Sequence, residues 1–154
     1  MRLIVWRRRW ARPTTSAPPT WLGLGRDCAR DRIRNRPFSR PVLLLSGGVT
    51  TAAVRGSGRG GRNAEFLLAF ALAIDGLSGV SCLVADTDGI DGTEANAGAF
   101  ADGTTAARMR VAGIDPSRVL ASNDAYSPFD SIGDLSFAGP TGSNVNDFRA
   151  IRIE

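Results

Sequence analysis

Three consecutive apolar segments in the middle of the chain constrain its fold more than any other feature. Residues 42–45 and 80–85 are short apolar runs that predict buried strands. Between them, apolar residues recur at helical spacing from Leu67 to Ile74, and we expect Asn63 to cap that helix. A strand, a helix and a second strand form a crossover unit. The sequence therefore predicts an α/β fold, a single layered domain with a mixed sheet and flanking helices.

Further elements are predicted on both sides of this unit. Residues 50–55 contain β-branched side chains and predict a strand that pairs with 42–45 as a hairpin. The small residues of 96–101 predict the start of a helix beneath the acidic loop. The remaining predicted elements are a helix over 104–112, a helix over 116–121 capped by Asp115, a segment from 123 with Phe129 and Ile132 inward, and strands over 135–138 and 149–153.

The first forty residues differ from the rest in composition. They hold eleven of the nineteen basic residues and two acids, a net charge of +9, whereas the remainder has a net charge of −5. The sequence pI of 10.3 describes this leader, so we infer no nucleic-acid partner from it. The leader, 1–40, has no sustained periodicity, and we predict that it is disordered or translated from a shifted reading frame. A transit peptide, or a segment whose arginines and tryptophans contact nucleic acid, is the alternative. The folded domain is predicted over 41–154.

Missing residue types exclude several kinds of chemistry. The chain has no lysine and no histidine, which excludes a Ser-His-Asp triad, a histidine metal site and a lysine nucleophile within it. Cys28 and Cys82 lie in unlike contexts and predict no disulfide framework. The apolar stretches are too short for a membrane span, so we predict no membrane association and a cytoplasmic location.

An acidic loop follows the second strand of the predicted unit. Asp86, Asp88 and Asp91 lie where that strand ends, which is where ligands bind in open α/β sheets. Neighbouring carboxylates repel unless a cation, an arginine or backbone N–H groups share the space. Hard oxygen ligands without histidine or cysteine predict Mg²⁺ as the metal, if one binds. A turn with solvated acids is the alternative. The local similarity to haloacid dehalogenase-like phosphohydrolases is weak, because the motif is central here.

A glycine-rich loop over 56–61 satisfies the G-x-G-x-x-G pattern between a predicted strand and a predicted helix. As a dinucleotide fingerprint it is weak, because arginines lie in or beside the turn. Arg59 and Arg62 would instead offer bidentate donors to a phosphate or carboxylate near a helix N-terminus. A surface connection with solvated arginines is the alternative. A third polar loop contains Thr141, Ser143, Asn144, Asn146 and Asp147.

Five motifs occur in a fixed order along the chain. They are LSGG at 45–48, GRGGRN at 58–63, ADTDGIDG at 85–92, NAGA at 96–99 and GPTGSNVND at 139–147. Together they resemble the MOFRL domain, the C-terminal part of the bacterial, archaeal and animal glycerate 2-kinases, some of which are labelled hydroxypyruvate reductases. The resemblance covers residues 41–154.

The resemblance implies ATP-dependent phosphorylation of D-glycerate to 2-phosphoglycerate with Mg²⁺, in a cleft between this domain and a larger N-terminal α/β domain. It implies catalytic roles for Arg62, Asp86 and Asp88, and a metal site formed by Asp86, Asp88 and Asp91. The residues it implies for substrate or phosphate binding are Gly47, Gly48, Arg59, Gly60, Gly61, Asn63, Asn144, Asn146 and Asp147.

Two departures from the family pattern and the missing partner domain bear on activity. Val49 stands where the family usually has glutamate, and Ala64 stands where it usually has glutamine. One side of a cleft cannot align the γ-phosphate of ATP with the acceptor hydroxyl or exclude water. We therefore expect the chain alone to be nearly inactive. An NAD(P)H-dependent hydroxypyruvate reductase and a non-catalytic remnant or binding module are the alternatives.

Overall fold

A computed structural model of the chain describes residues 2–5, 40–49 and 56–154, and six strands in it form one sheet in the order β1-β2-β6-β3-β4-β5. The strands are β1 (Arg2–Val5), β2 (Val42–Gly47), β3 (Val80–Asp86), β4 (Gly98–Asp102), β5 (Leu135–Ser136) and β6 (Asp147–Ile153). The helices are α1 (Arg62–Ala73), α2 (Thr105–Val111), α3 (Pro116–Ala121) and α4 (Tyr126–Ser131). β1 pairs with β2 in parallel and the other neighbours pair antiparallel. The predicted α/β class with a mixed sheet and flanking helices is confirmed.

Directly opposed residues of β2, β6 and β3 form rows across the centre of the sheet, on the side that α1 covers. Two rows, which we call the apolar rows, are Val42–Ile153–Val80 and Leu44–Ile151–Cys82. The next two, which we call the polar rows, are Ser46–Arg149–Val84 and Asp147–Asp86. The same three strands therefore change from apolar to charged as they approach the acidic loop.

α1 packs its apolar side mainly against β3 and β4 and begins above the polar rows. Phe66, Leu67 and Phe70 are buried at 1% exposure or less. The helix begins at Arg62, and Gly61 at the cap position offers no side chain. The predicted cap at Asn63 is therefore wrong, because that residue lies inside the first turn. A carboxylate from elsewhere in the chain takes its place.

Small residues of the 96–101 segment form a strand. The predicted helix start is wrong, because Gly98–Asp102 is β4 and pairs with β3. A Cβ atom at Gly98 would overlap the carbonyl oxygen of Val84, so glycine allows the two strands to approach closely. The small residues of this segment allow close strand pairing and do not indicate a helix.

The other predicted elements that fall on described residues are observed. Strands over 42–45 and 149–153 and helices over 104–112 and 116–121 are confirmed, within a few residues at their ends. Asp115 caps α3 by accepting the N–H groups of Ser117 and Arg118 at 2.9 and 3.4 Å.

Part of the N-terminal region falls outside what the structure describes. The predicted hairpin strand over 50–55 lies there, while β2 itself pairs with β1 and β6. Of the predicted leader, residues 2–5 form β1, where no regular element was predicted, and residues 6–39 lie outside the described part. No helix in the described ranges is long and apolar enough to cross a membrane.

Candidate active site

The polar rows lie where β2 and β3 end and where β6 and α1 begin. Four segments that are far apart in the sequence meet there, through Gly48, Arg62, Asp86 and Asp147. The Gly48 N–H donates to the backbone carbonyl of Asp147 at 3.2 Å, which joins the end of β2 to the start of β6. The structure thus brings together residues from four of the five sequence motifs at one end of these strands.

Arg62 is the most accessible charged group of this cluster. Its Nε donates to both carboxylate oxygens of Asp147, at 2.9 and 3.2 Å, and its Nη2 forms an ion pair with Asp86. The arginine side chain is 29% exposed, whereas the two carboxylates are 2% exposed or less. The bonds to Asp147 raise the pKa of Arg62, despite partial burial. Its Nη1 has no partner among the residues described, so a charged donor remains at the surface.

Asp147 is the group that the other polar side chains share. Besides Arg62, it accepts from Asn63 Nδ2 at 3.1 Å and from Arg149 Nη2 at 3.0 Å. Its side chain is fully buried. In this conformation Asp147 holds two arginines in place and does not present its oxygens to a ligand.

Arg149 belongs to the cluster, although the sequence analysis did not select it. It is 1% exposed, donates to the Gly48 carbonyl at 3.0 Å, and lies 5.3 Å from the ring centre of Phe66. Burial lowers the pKa of Arg149, with Asp147 opposing that effect. A signal was present in the sequence, because alternation through Ile151 and Ile153 places residue 149 on the inward side of β6.

The three aspartates of the acidic loop have different partners. Asp91 is fully buried and accepts the N–H groups of Asn63 and Ala64 at 3.0 and 2.8 Å, so it caps α1. Burial raises the pKa of Asp91, and the two backbone hydrogen bonds oppose the rise. Asp88 accepts from the N–H of Ile90 at 2.9 Å. Asp86 holds Arg62.

This arrangement does not fit the predicted metal site. In the described part of the chain, no group of three or more acidic or cysteine side chains is placed to hold a metal ion. One of the three aspartates caps a helix and another is paired with arginine. The set Asp86, Asp88 and Asp91 therefore does not converge on one cation, and we derive no step through a metal.

The third polar loop is joined to the acidic loop. Asn144 donates to Asp88 Oδ2 at 2.9 Å, and the hydroxyl of Thr87 donates to the Asn146 carbonyl at 2.8 Å. Asn146 has a φ of +70°, a conformation that asparagine tolerates better than most residues. Two predicted binding loops thus form one continuous surface beside Asp86.

The glycines of the 56–61 loop are explained by packing within the chain. A Cβ atom at Gly61 would overlap the carboxylate of Asp91, and one at Gly58 would overlap the backbone of Asp124. A dinucleotide fingerprint keeps such space for a pyrophosphate. Here the cap position of α1 already holds a carboxylate.

Arg59 has different partners from Arg62. It forms an ion pair with Glu94 at 2.7 Å, its guanidinium lies 4.3 Å from the ring centre of Tyr126, and its side chain is 59% exposed. A substrate contact by Arg59 stays a prediction. A cavity of about 340 Å³, which Leu83, Phe100 and Arg152 help to line, contains none of the predicted site residues.

Comparison with known proteins identifies relatives that match most of this chain. The MOFRL family model matches residues 42–147. A protein of Agrobacterium vitis named "Putative hydroxypyruvate reductase" is 50% identical over 124 residues, which are 79% of this chain and 28% of that protein. The D-glycerate 2-kinase of Thermotoga maritima is 43% identical over 116 residues, which are 75% of this chain and 28% of that protein.

Solved structures give the same result. A crystal structure of glycerate kinase from Thermotoga maritima superimposes with a TM-score of 0.82 at 38% identity, over 87% of this chain and 33% of that one. The chain therefore spans about a third or less of the length of the relatives named here. Because the family model matches more than half of the sequence, the chain belongs to the MOFRL family.

Proposed function

We propose that this domain supplies one side of the active site of a cytoplasmic glycerate 2-kinase. The complete enzyme would transfer the γ-phosphoryl group of ATP to the 2-hydroxyl of D-glycerate. Membership of the MOFRL family and the glycerate kinase names of several relatives support this class of reaction. The remaining two thirds of such an enzyme would be a further α/β domain that closes the cleft.

The placement of Arg62 is the observation that carries the proposal. Two buried carboxylates hold its guanidinium at the edge of the sheet, and its Nη1 is left for an incoming group. The Nη1 group of a guanidinium fixed in this way keeps its N–H donors for a carboxylate or phosphate oxygen, and a charged hydrogen bond of this kind is among the stronger ones. We assign Arg62 to the carboxylate of glycerate or to a phosphate of the substrates.

Asp88 is the accessible aspartate of the proposed site. It is partly exposed, whereas Asp86 is 4% exposed and paired with Arg62. Orienting a substrate hydroxyl, or accepting its proton, requires a carboxylate within hydrogen-bond reach of that hydroxyl. We therefore assign this role to Asp88 and a supporting role to Asp86.

The charge balance of the cluster explains why this domain alone is not expected to catalyse phosphoryl transfer. Arg62 and Arg149 are balanced by Asp86 and Asp147, so these four side chains have no net charge. Phosphoryl transfer depends on positive charge arranged around the transferring phosphate. That charge, together with any magnesium carried by ATP, would come with the remainder of the enzyme. The chain alone should turn over ATP only at background rate.

A chimera tests the proposal. Residues 41–154 would replace the matching segment of the Thermotoga maritima D-glycerate 2-kinase, and glycerate-dependent ATP consumption would be measured. We expect Arg62→Ala to raise the KM for D-glycerate by about tenfold or more, since a charged hydrogen bond is lost. Arg110→Ala removes an exposed ion pair with Asp75 and is the matched control. An unchanged KM in Arg62→Ala would reassign Arg62 to a structural role.

Hydroxypyruvate reduction is a second candidate, because that activity is in the name of the Agrobacterium vitis relative. The 56–61 loop offers it little support, since Gly61 packs on Asp91 and the helix N-terminus is capped from within the chain. Oxidation of NADH by hydroxypyruvate in the same chimera would favour the reductase. No such oxidation, beside measurable kinase turnover, would favour the kinase.

A further inference from the structure

We propose that Arg149 is a positioning residue of the candidate site. Through Asp147 it fixes the direction of the Arg62 guanidinium, and through the Gly48 carbonyl it holds the turn after β2 against the same carboxylate. This inference rests on the proposed function for its catalytic consequence. Its geometric part can be tested without any activity.

The contacts of Arg149 connect the turn after β2 to the start of α1. Its Nη2 reaches Asp147 Oδ2 at 3.0 Å and the Gly48 carbonyl at 3.0 Å. The other carboxylate oxygen of Asp147 is 2.9 Å from Arg62 Nε. A carboxylate that is bonded to an arginine on each side has little freedom to rotate, so Arg149 restricts where Arg62 can point.

Burial of Arg149 is costly for a residue that only fills space. Its Nε and Nη1 are buried and have no hydrogen-bond partner among the residues that the structure describes. An apolar side chain of similar length could pack against Phe66 without leaving donors unsatisfied. The arginine is therefore better explained by the geometry it imposes on Asp147 than by stability.

This explanation makes the position of Arg62, and not stability, the deciding observation. In Arg149→Met, Asp147 still has Arg62 and Asn63 as partners, but it loses one of its two arginines. Thermal stability should therefore fall, because one partner of a buried ion pair is removed. The position of Arg62 should also become less defined. A purely structural arginine would lower stability in the same way but would leave Arg62 undisturbed.

The first experiment uses the full 154-residue chain and follows the Nε–H signal of Arg62 by ¹⁵N NMR, assigned by its loss in Arg62→Lys. We expect Arg149→Met to shift this signal and to speed its hydrogen exchange about tenfold, with Arg149→Lys intermediate. Arg152→Met is the matched control, since Arg152 is exposed on the same strand and pairs with Glu154. An unmoved Arg62 signal in both Arg149 variants would overturn the proposal. If Arg149→Met does not fold, Arg149→Lys alone decides it.

The second experiment measures kinetics in the chimera described above. We expect Arg149→Met to raise the KM for D-glycerate by about tenfold, Arg149→Lys to restore part of that loss, and Arg152→Met to leave KM unchanged. A chimera that has no kinase activity even with the wild-type segment contradicts the proposed function, while the NMR result still decides the positioning role. An active chimera whose KM is unaffected by Arg149→Met contradicts the positioning role and leaves the proposed function intact.

Discussion

The apolar rows and the polar rows lie on the same three strands and on the same side of the sheet. The first pair of rows buries Ile151 and Ile153 at 4% and 3% exposure. The second pair buries Asp86, Asp147 and Arg149 as deeply. Equal burial therefore serves two purposes, because apolar contact stabilises the fold while buried charge mainly fixes a geometry.

The difference shows how one small domain can have both a core and a site. Each apolar side chain that leaves water contributes about 1.5–3 kcal/mol to folding. Buried ion pairs recover little more than the free energy lost in their desolvation. A side of the sheet that becomes charged only in its last two rows therefore keeps its stability in one half and presents fixed donors at the other.

The largest effect should come from removing the shared carboxylate of the polar rows. Asp147→Ala leaves Arg62 and Arg149 facing each other with only Asp86 to balance them, so the free energy of unfolding should fall by about 3–5 kcal/mol. Denaturant unfolding of the 154-residue chain measures this. Asp75→Ala, which removes an exposed ion pair with Arg110, should cost less than about 1 kcal/mol. Similar losses in the two variants would remove the distinction between buried and exposed charge.

Truncation in an apolar row should cost somewhat less. Ile151→Ala leaves a cavity between the sheet and α1, and we expect a loss of about 2–4 kcal/mol. Calorimetry of the same chain provides the measurement, with the exposed Ile90→Ala as control. The KM for glycerate in the folded chimera should not change. A variant that is stable but binds glycerate poorly would show that the apolar rows also set the site.

A smaller, pH-dependent effect is expected at Asp91. Burial raises the pKa of Asp91 above its ordinary value of 3.8, so at intermediate pH the folded state binds more protons than the unfolded state. The stability contribution of Asp91 should therefore be complete below pH 3.8 and decrease as the pH rises through the folded-state value. Unfolding of wild type and Asp91→Asn between pH 3 and 7 tests this. The difference in stability, wild type minus variant, should decrease with pH, and an increase would show that the two backbone N–H groups outweigh burial.

The smallest effect should be at the exposed rim of the site. Asn144→Ala removes a hydrogen bond to Asp88 between two exposed loops, and the expected loss is about 0.5 kcal/mol. Thermal unfolding provides the measurement, with Ser117→Ala as a surface control. A loss comparable to that of Asp147→Ala would mean that the loops stabilise the domain as strongly as the buried cluster does.

The sequence predicted the apolar half of the domain well, because local patterns determine it. The alternation of Ile151 and Ile153 with Arg152 predicted the strand over 149–153, and the proline after Asp115 predicted a capped helix. β4 was not predicted, because Gly98 and its small neighbours show no hydrophobic periodicity. Their conformation depends on close pairing with β3, which cannot be recognised from the local sequence.

The sequence predicted which residues belong to the candidate site better than it predicted their contacts. Arg62, Asp86 and Asp147 were all selected, and the structure brings them together. Asp91 was predicted as a metal ligand, yet it caps α1 across 27 residues of sequence, a relation that local cap patterns cannot show. Arg149 was missed because an arginine in a strand is ordinarily assigned to the solvent side, although its register with Ile151 indicated otherwise.

The products formed by the chimera would show whether this domain supports the phosphorylation of D-glycerate. The chimera would be supplied with D-glycerate, ATP and Mg²⁺, and its products would be identified by ³¹P NMR. We predict 2-phosphoglycerate and ADP with the wild-type segment, and a large loss of that product when Arg62→Ala is introduced at limiting glycerate. A folded chimera that forms no phosphoglycerate, or forms it equally well with Arg62→Ala, would contradict the account.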